Sequence, residues 1–127
     1  MNQQNKLLCF AVLLLAGCGG PSLQTPAEPT LARDTLRSVL DAWQRGDALD
    51  SLRSASPAVQ VNDPDWLAGC RLTDYQFISD GTRAGIDIRF PVLLTLKQPN
   101  GRTIRKNTAY MVGTSPVLTV VRHDPQS

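Results

Sequence analysis

The chain has 127 residues, and its 13 Lys and Arg against 11 Asp and Glu give a formal net charge of +2. So small an excess argues against a nucleic-acid partner and supplies no electrostatic reason for strong contact with anionic lipid. The length leaves room for one domain with one core, not two.

Met1 to Cys18 begins with a short polar stretch carrying one cation, Lys6, followed by an apolar and small-residue run from Leu7 to Gly17. This is the layout of a secretory signal. A membrane-spanning helix needs roughly 20 apolar residues, so a run that meets Gly19-Gly20-Pro21 after eleven is too short to span. Its last four residues, Leu15-Ala16-Gly17-Cys18, resemble the lipobox of bacterial lipoproteins. The resemblance implies that residues 1–17 are a signal peptide and that Cys18 is the lipidation site. Diacylglycerol would be attached to the thiol, the bond before it cleaved, and the new amino group often acylated (palmitate is a typical chain). Each buried methylene contributes about 0.8 kcal/mol, so two or three chains anchor the protein permanently without a span. The expected location is the cell envelope, with the membrane as a partner through the N-terminal lipid. Gly19 after the cysteine, where aspartate commonly retains lipoproteins at the inner membrane, implies the outer membrane of a two-membrane source. In a single-membrane cell the destination is the outer leaflet of the plasma membrane. Loss of Lys6 lowers the +2 to +1. Cys9 leaves with the signal and Cys18 is consumed by lipid, so Cys70 has no intrachain disulfide partner.

Residues 18–29 read as the lipidated cysteine and a flexible linker, since GGPSLQTPAEP holds three prolines, two glycines and one large apolar residue, Leu23. Residues 30–124 are then a single α+β domain. Leu36, Val39, Leu40 and Trp43 fall at i, i+3, i+4 and i+7, which predicts an amphipathic helix from Thr30, its cap, to Arg45, ended by Gly46. A short second helix over Asp47 to Ser54, capped by Asp47, buries Leu49 and Leu52. Ala55 to Gly69 reads as irregular. Strands follow over Arg71 to Ser79 and over the alternating stretch from Ile86 to Lys97, where Pro91 demands a bulge or an edge. Pro99-Asn100-Gly101 is a hairpin turn. The return strand is Arg102 to Val112, and Val117 to Arg122 is the last. The expected architecture is an N-terminal amphipathic helix packed in a curved four-stranded antiparallel sheet.

This order of elements, with Val39 to Leu49 (VLDAWQRGDAL) as a first-helix motif, resembles the nuclear transport factor 2-like, or cystatin-like, α+β superfamily over about 95 residues, Thr30 to Asp124. The resemblance implies a sheet that wraps the helix and can leave a pocket, in a family that runs from enzymes to pure interaction modules. Its isomerase and cyclase members use acidic residues and a tyrosine or histidine inside the cone. Here the one histidine, His123, reads as a solvated tail residue. Asp74 and Tyr75 are adjacent on a strand and point to opposite faces. Asp87 and Arg89 share a face of the long strand, and Tyr110 lies on its partner. They are either a ligand-orienting site or a solvent-facing row of cross-strand pairs. Trp66 either plugs the open end of the cone or stands at the mouth of a pocket. Cys70 is a small residue at a strand start, a thiol activated by Arg71, or an intermolecular disulfide partner. HExxH, CxxC, GxSxG and phosphate-loop patterns are lacking, so neither metal nor cofactor is expected.

The function expected is a non-enzymatic envelope lipoprotein that binds an envelope protein or a small apolar ligand. The alternative is a small cone-fold enzyme, or decayed enzyme, acting on an apolar ligand. Replacing Cys18 by Ala should abolish incorporation of labelled fatty acid and leave the precursor uncut. Label in the mutant would reject the lipobox.

Overall fold

The computed structural model describes residues 25–124, so the lipobox and Cys18 lie outside the described residues. The first helix, α1, spans Pro29–Arg45. Its cap is Glu28 and not Thr30: the Glu28 carboxylate accepts from the amides of Thr30 (3.2 Å) and Leu31 (2.7 Å), and Pro29 takes the first turn, where no N–H is needed. Gly46, at φ 91°, ends the helix in the left-handed conformation. Ala32, Leu36, Val39, Leu40 and Trp43 form its buried stripe. Helix α1 begins one residue before the expected Thr30. Ala27 is buried and its N–H donates to the Ile86 carbonyl at 2.6 Å, which removes residues 27–29 from the linker.

Helix α2, Leu49–Arg53, is shorter than expected and starts from Ala48 without a side-chain cap, because the Asp47 carboxylate is drawn to Arg45 at 2.8 Å. The stretch expected to be irregular contains strand β1, Val59–Asn62, and a one-turn helix α3, Pro64–Leu67. The remaining strands are β2 (Arg71–Phe77), β3 (Thr82–Ala84), β4 (Asp87–Lys97), β5 (Thr103–Gly113) and β6 (Leu118–Arg122).

The fold is α+β, with a curled half-barrel sheet. It has six strands in the order β1-β6-β5-β4-β2, with β3 also on β4, and β1 runs parallel to β6. This corrects the four-stranded antiparallel expectation. β1 and β3 have only four and three residues, too few for alternation to reveal, and the β1–β6 pairing joins segments distant in sequence.

Strand β4 places Ile88, Phe90, Val92, Leu94 and Leu96 on the concave face against α1, each at most 4% exposed. Ile86, expected to begin that row, lies before the strand and is exposed. Pro91 causes no bulge between β4 and β5, whose register is continuous from Ile88 to Lys97. Its backbone points toward β2, where its carbonyl accepts from the Ile78 amide at 2.9 Å. The return bond would need an N–H that proline lacks, and the β2 ladder stops at Phe77. At the tip, the Gly101 amide donates to the Gln98 carbonyl and the Gln98 amide to that of Arg102, both at 2.8 Å. This is a three-residue loop with Pro99 opening the turn and Gly101, φ 90°, in the left-handed position.

Helix α1 is fastened to β2 by its side chains. Trp43 Nε1 donates to the Cys70 carbonyl at 3.0 Å and Gln44 Nε2 to that of Thr73 at 2.9 Å. The Tyr75 hydroxyl donates to Asp41 at 2.7 Å; burial and that carboxylate push its pKa up to about 12, so it stays a donor. Trp43 is the centre of this attachment at 3% exposed, and Trp43→Ala should lose about 3 to 5 kcal/mol in chemical denaturation. Near-native stability of the mutant would place the ring outside the core.

Candidate functional site

The Gln98–Arg102 loop fixes the register of β4 and β5 so that Tyr110 stands opposite Phe90 on the concave face. Asp87 and Arg89 belong to the alternate set and face the convex side, with Arg89 opposite Met111 and Thr82. The expected grouping of Asp87, Arg89 and Tyr110 is therefore corrected: one strand-face separates the tyrosine from the two charges. The Asp87 carboxylate lies over Gly113, whose absent Cβ would meet Oδ1 at 2.8 Å. It belongs to a surface row.

Tyr110 instead joins a cluster that sequence reasoning missed. Its hydroxyl donates to Asp63 Oδ2 at 2.5 Å. Asp63 is also the cap of α3: Oδ1 accepts from the amides of Asp65 (3.0 Å) and Trp66 (3.2 Å), and from Arg122 Nη2 at 3.1 Å. The same guanidinium nitrogen donates to Asp65, which also takes Lys106 Nζ at 3.0 Å, while Arg122 Nε faces Asp124 at 3.5 Å. The Arg122 guanidinium lies 5.6 Å from the Tyr110 ring centre. The side chains of Asp63 and Arg122 are 1% and 3% exposed.

Burial pushes the Asp63 carboxyl up from its ordinary value, against the pull of Arg122, the Tyr110 hydroxyl and the two helix amides. Tyr110 is raised well above the usual phenol by burial and by the Asp63 charge. Burial works against the Arg122 cation, but Tyr110 and the carboxylates around it hold its proton more firmly still. Tyr110 is thus fixed as a donor. Asp63 accepts from four donors, three on Oδ1 and one on Oδ2, and its side chain is 1% exposed, so it is engaged inside the cluster and away from solvent. Chemically the cluster is a clip: it ties the start of α3 to β5 and β6.

The cavities lie elsewhere. A cleft of about 300 Å³ is bordered by Trp43, Gly46, Trp66, Gly69, Cys70 and Arg71. Trp66 stacks on Trp43 with ring centres 5.2 Å apart and planes 5° from parallel. At 9% exposed it plugs the end of the half-barrel, with its rim on the cleft. Cys70 is buried there, and burial and the Asp65 carboxylate push its thiol up, away from the reactive thiolate. A second groove, of about 410 Å³, runs past Leu31, Thr35, Leu52, Pro57, Val59 and Leu118. Its walls are mostly apolar, and Asp34 and Arg45 stand on its border. The His123 side chain is exposed, and its backbone N–H donates to the Ala109 carbonyl at 2.7 Å.

Two sequence signals point to the clip in retrospect. Asp63-Pro64 is a cap followed by a first-turn proline, and Arg122 continues the inward alternation of Leu118 and Val120, where a cation needs a buried anion. Comparison of the chain with protein-family models, curated proteins and solved structures finds no match.

Removing one partner from such a buried pair leaves a charge uncompensated. Asp63→Ala should therefore cost about 3 to 5 kcal/mol, and Tyr110→Phe, which strips one hydrogen bond, about 1 to 3 kcal/mol. The double variant Asp63→Asn/Tyr110→Phe should lose less than the sum of its single changes, read by urea denaturation. Strict additivity would show that the two groups are not one network.

Proposed function

We propose that this chain is a bacterial lipoprotein, held on an envelope membrane by lipid on Cys18, whose α+β domain is a non-enzymatic binding or assembly module. The anchor rests on the short apolar run and on Leu15-Ala16-Gly17-Cys18. What carries the module reading is the occupied interior of the half-barrel. Leu36, Leu40, Phe90, Val92, Leu94 and Val112 fill it at 1% exposure or less, and the buried Asp63 is bonded to Tyr110 and Arg122. The helix–turn–helix start and the long antiparallel strands support kinship with the nuclear transport factor 2-like superfamily, in which pure interaction modules occur. With Gly19 after the cysteine, the outer membrane is the proposed residence in a two-membrane cell.

The 410 Å³ groove favours one second reading, a site for a small apolar ligand, as in a cone-fold enzyme or its decayed relative. The Tyr110 and Asp63 side chains are not part of its lining, which weakens the enzymatic version.

Membrane fractionation of a two-membrane host tests the anchor and residence together. The native chain should sediment with outer-membrane markers and resist salt washing, whereas Gly19→Asp should move to the inner membrane. Recovery of the native chain in the soluble fraction would reject the anchor. Titration with an apolar fluorescent probe tests the second reading: saturable binding that Leu52→Glu abolishes would favour the ligand site over the module.

A further inference from the structure

The sheet has one open internal edge. Strand β6 pairs with β5 only from Tyr110 to Gly113, and the last bond beyond that ladder runs from the His123 amide to the Ala109 carbonyl. In an antiparallel strand, residues two apart aim their N–H and C=O to the same side. Asn107, Arg105 and Thr103 therefore direct theirs, like Ala109, away from β4, into a side where β5 has no neighbouring strand among the described residues. All three residues are exposed. The row spans about 14 Å at roughly 3.4 Å per residue.

Charge selects what fits this edge. From Lys97 to His123 the sequence holds five Lys and Arg and no Asp or Glu. Arg102 and Arg105 are exposed and form no ion pair among the described residues, and Lys106, on the other face, reaches only Asp65. In the cross-strand row of Arg105, its neighbour on β4 is Thr95, and Asp74 follows one strand further on β2. Two copies meeting edge to edge would bring Arg102, Arg105 and Lys106 against themselves, so charge rejects a second copy. The same charge attracts an acidic strand.

We propose that the open edge of β5, Thr103 to Asn107, accepts an extended acidic segment of a partner protein as an additional strand. Main-chain bonds to Thr103, Arg105 and Asn107 hold it, and carboxylates on the face of Arg105 select it, with Arg102 adding positive charge at the end of the edge. An apolar side chain of the segment falls beside the half-buried Ile104. The inference rests on the binding-module reading and names the partner class. It does not depend on the lipid, so membrane fractionation and the edge test fail separately.

The test uses the full chain in detergent micelles and a synthetic eight-residue peptide alternating Glu with Val or Thr. Amide hydrogen exchange at residues 103–108 should slow on saturation with the peptide. Methylating the peptide nitrogens that face β5 removes two or three hydrogen bonds, which at about 1 kcal/mol each predicts a loss of roughly 30-fold to 150-fold in affinity. The variant R102E/R105E alters only exposed side chains, and should lose the acidic peptide and accept a Lys-for-Glu version. Asn107→Pro removes one outward N–H at an edge position, where proline is tolerated, and should weaken binding without unfolding the chain. Equal binding of the methylated peptide would reduce the interaction to surface charge and overturn the proposal. So would unchanged exchange at 103–108, or slowed exchange there on raising the concentration of the chain alone.

Discussion

The arrangement of this domain depends on a single buried carboxylate. Asp63 is the point at which three otherwise separate parts meet: the start of α3, the middle of β5 through Tyr110, and the end of β6 through Arg122. Without it, two helix amides and a phenol would lose their acceptor, and the Arg122 guanidinium would keep only Asp65 and Asp124 beside it. A group in that position is costly to bury and costlier to remove, which makes it specify one geometry more than it adds stability. The position of Trp66 follows directly. Its amide is held by Asp63, so its ring is delivered onto Trp43, and the end of the half-barrel is closed by that stack.

How much of this was legible in the sequence depends on how local each determinant is. The buried stripe of α1 and the alternation of β4 were plain, because each element carries its own periodicity over three turns or five inward residues. Gly46 and Gly101 marked their turns for the same reason. The cap of α1 was misread by two residues, since Glu28 serves where Thr30 has the better propensity. β1 escaped because Val59-Gln60-Val61-Asn62 offers only two inward residues, and its partner β6 lies almost sixty positions away.

The candidate site shows the same division. Tyr110 is legible as a polar strand residue, but it does not join Asp87 and Arg89, because residues on paired strands need not share a face. The turn at Pro99 to Gly101 already contained the answer: counting outward from a three-residue loop pairs Tyr110 with Phe90, an inward position. Asp63 and Arg122 were out of reach for a different reason. Their pairing joins an assigned loop to a strand end, and no local pattern announces a salt bridge between residues 59 apart. The proposed lipobox, Leu15-Ala16-Gly17-Cys18, stands alone in being fully local: a four-residue string whose reading requires no fold.

The parallel pairing of β1 with β6 bears on the order of events during synthesis. A chain delivered N-terminus first, from a ribosome or through a membrane pore, can form α1 and the β4–β5 hairpin from residues that have already emerged. It cannot pair β1 with β6 or engage Arg122 with Asp63 until residue 122 is out. Closing a loop of that length is slow relative to a hairpin, and nothing earlier in the chain substitutes for it. On the export route proposed above, the domain would stay incomplete through most of its passage, the condition an unfolded-chain channel requires, and would be completed on the far side.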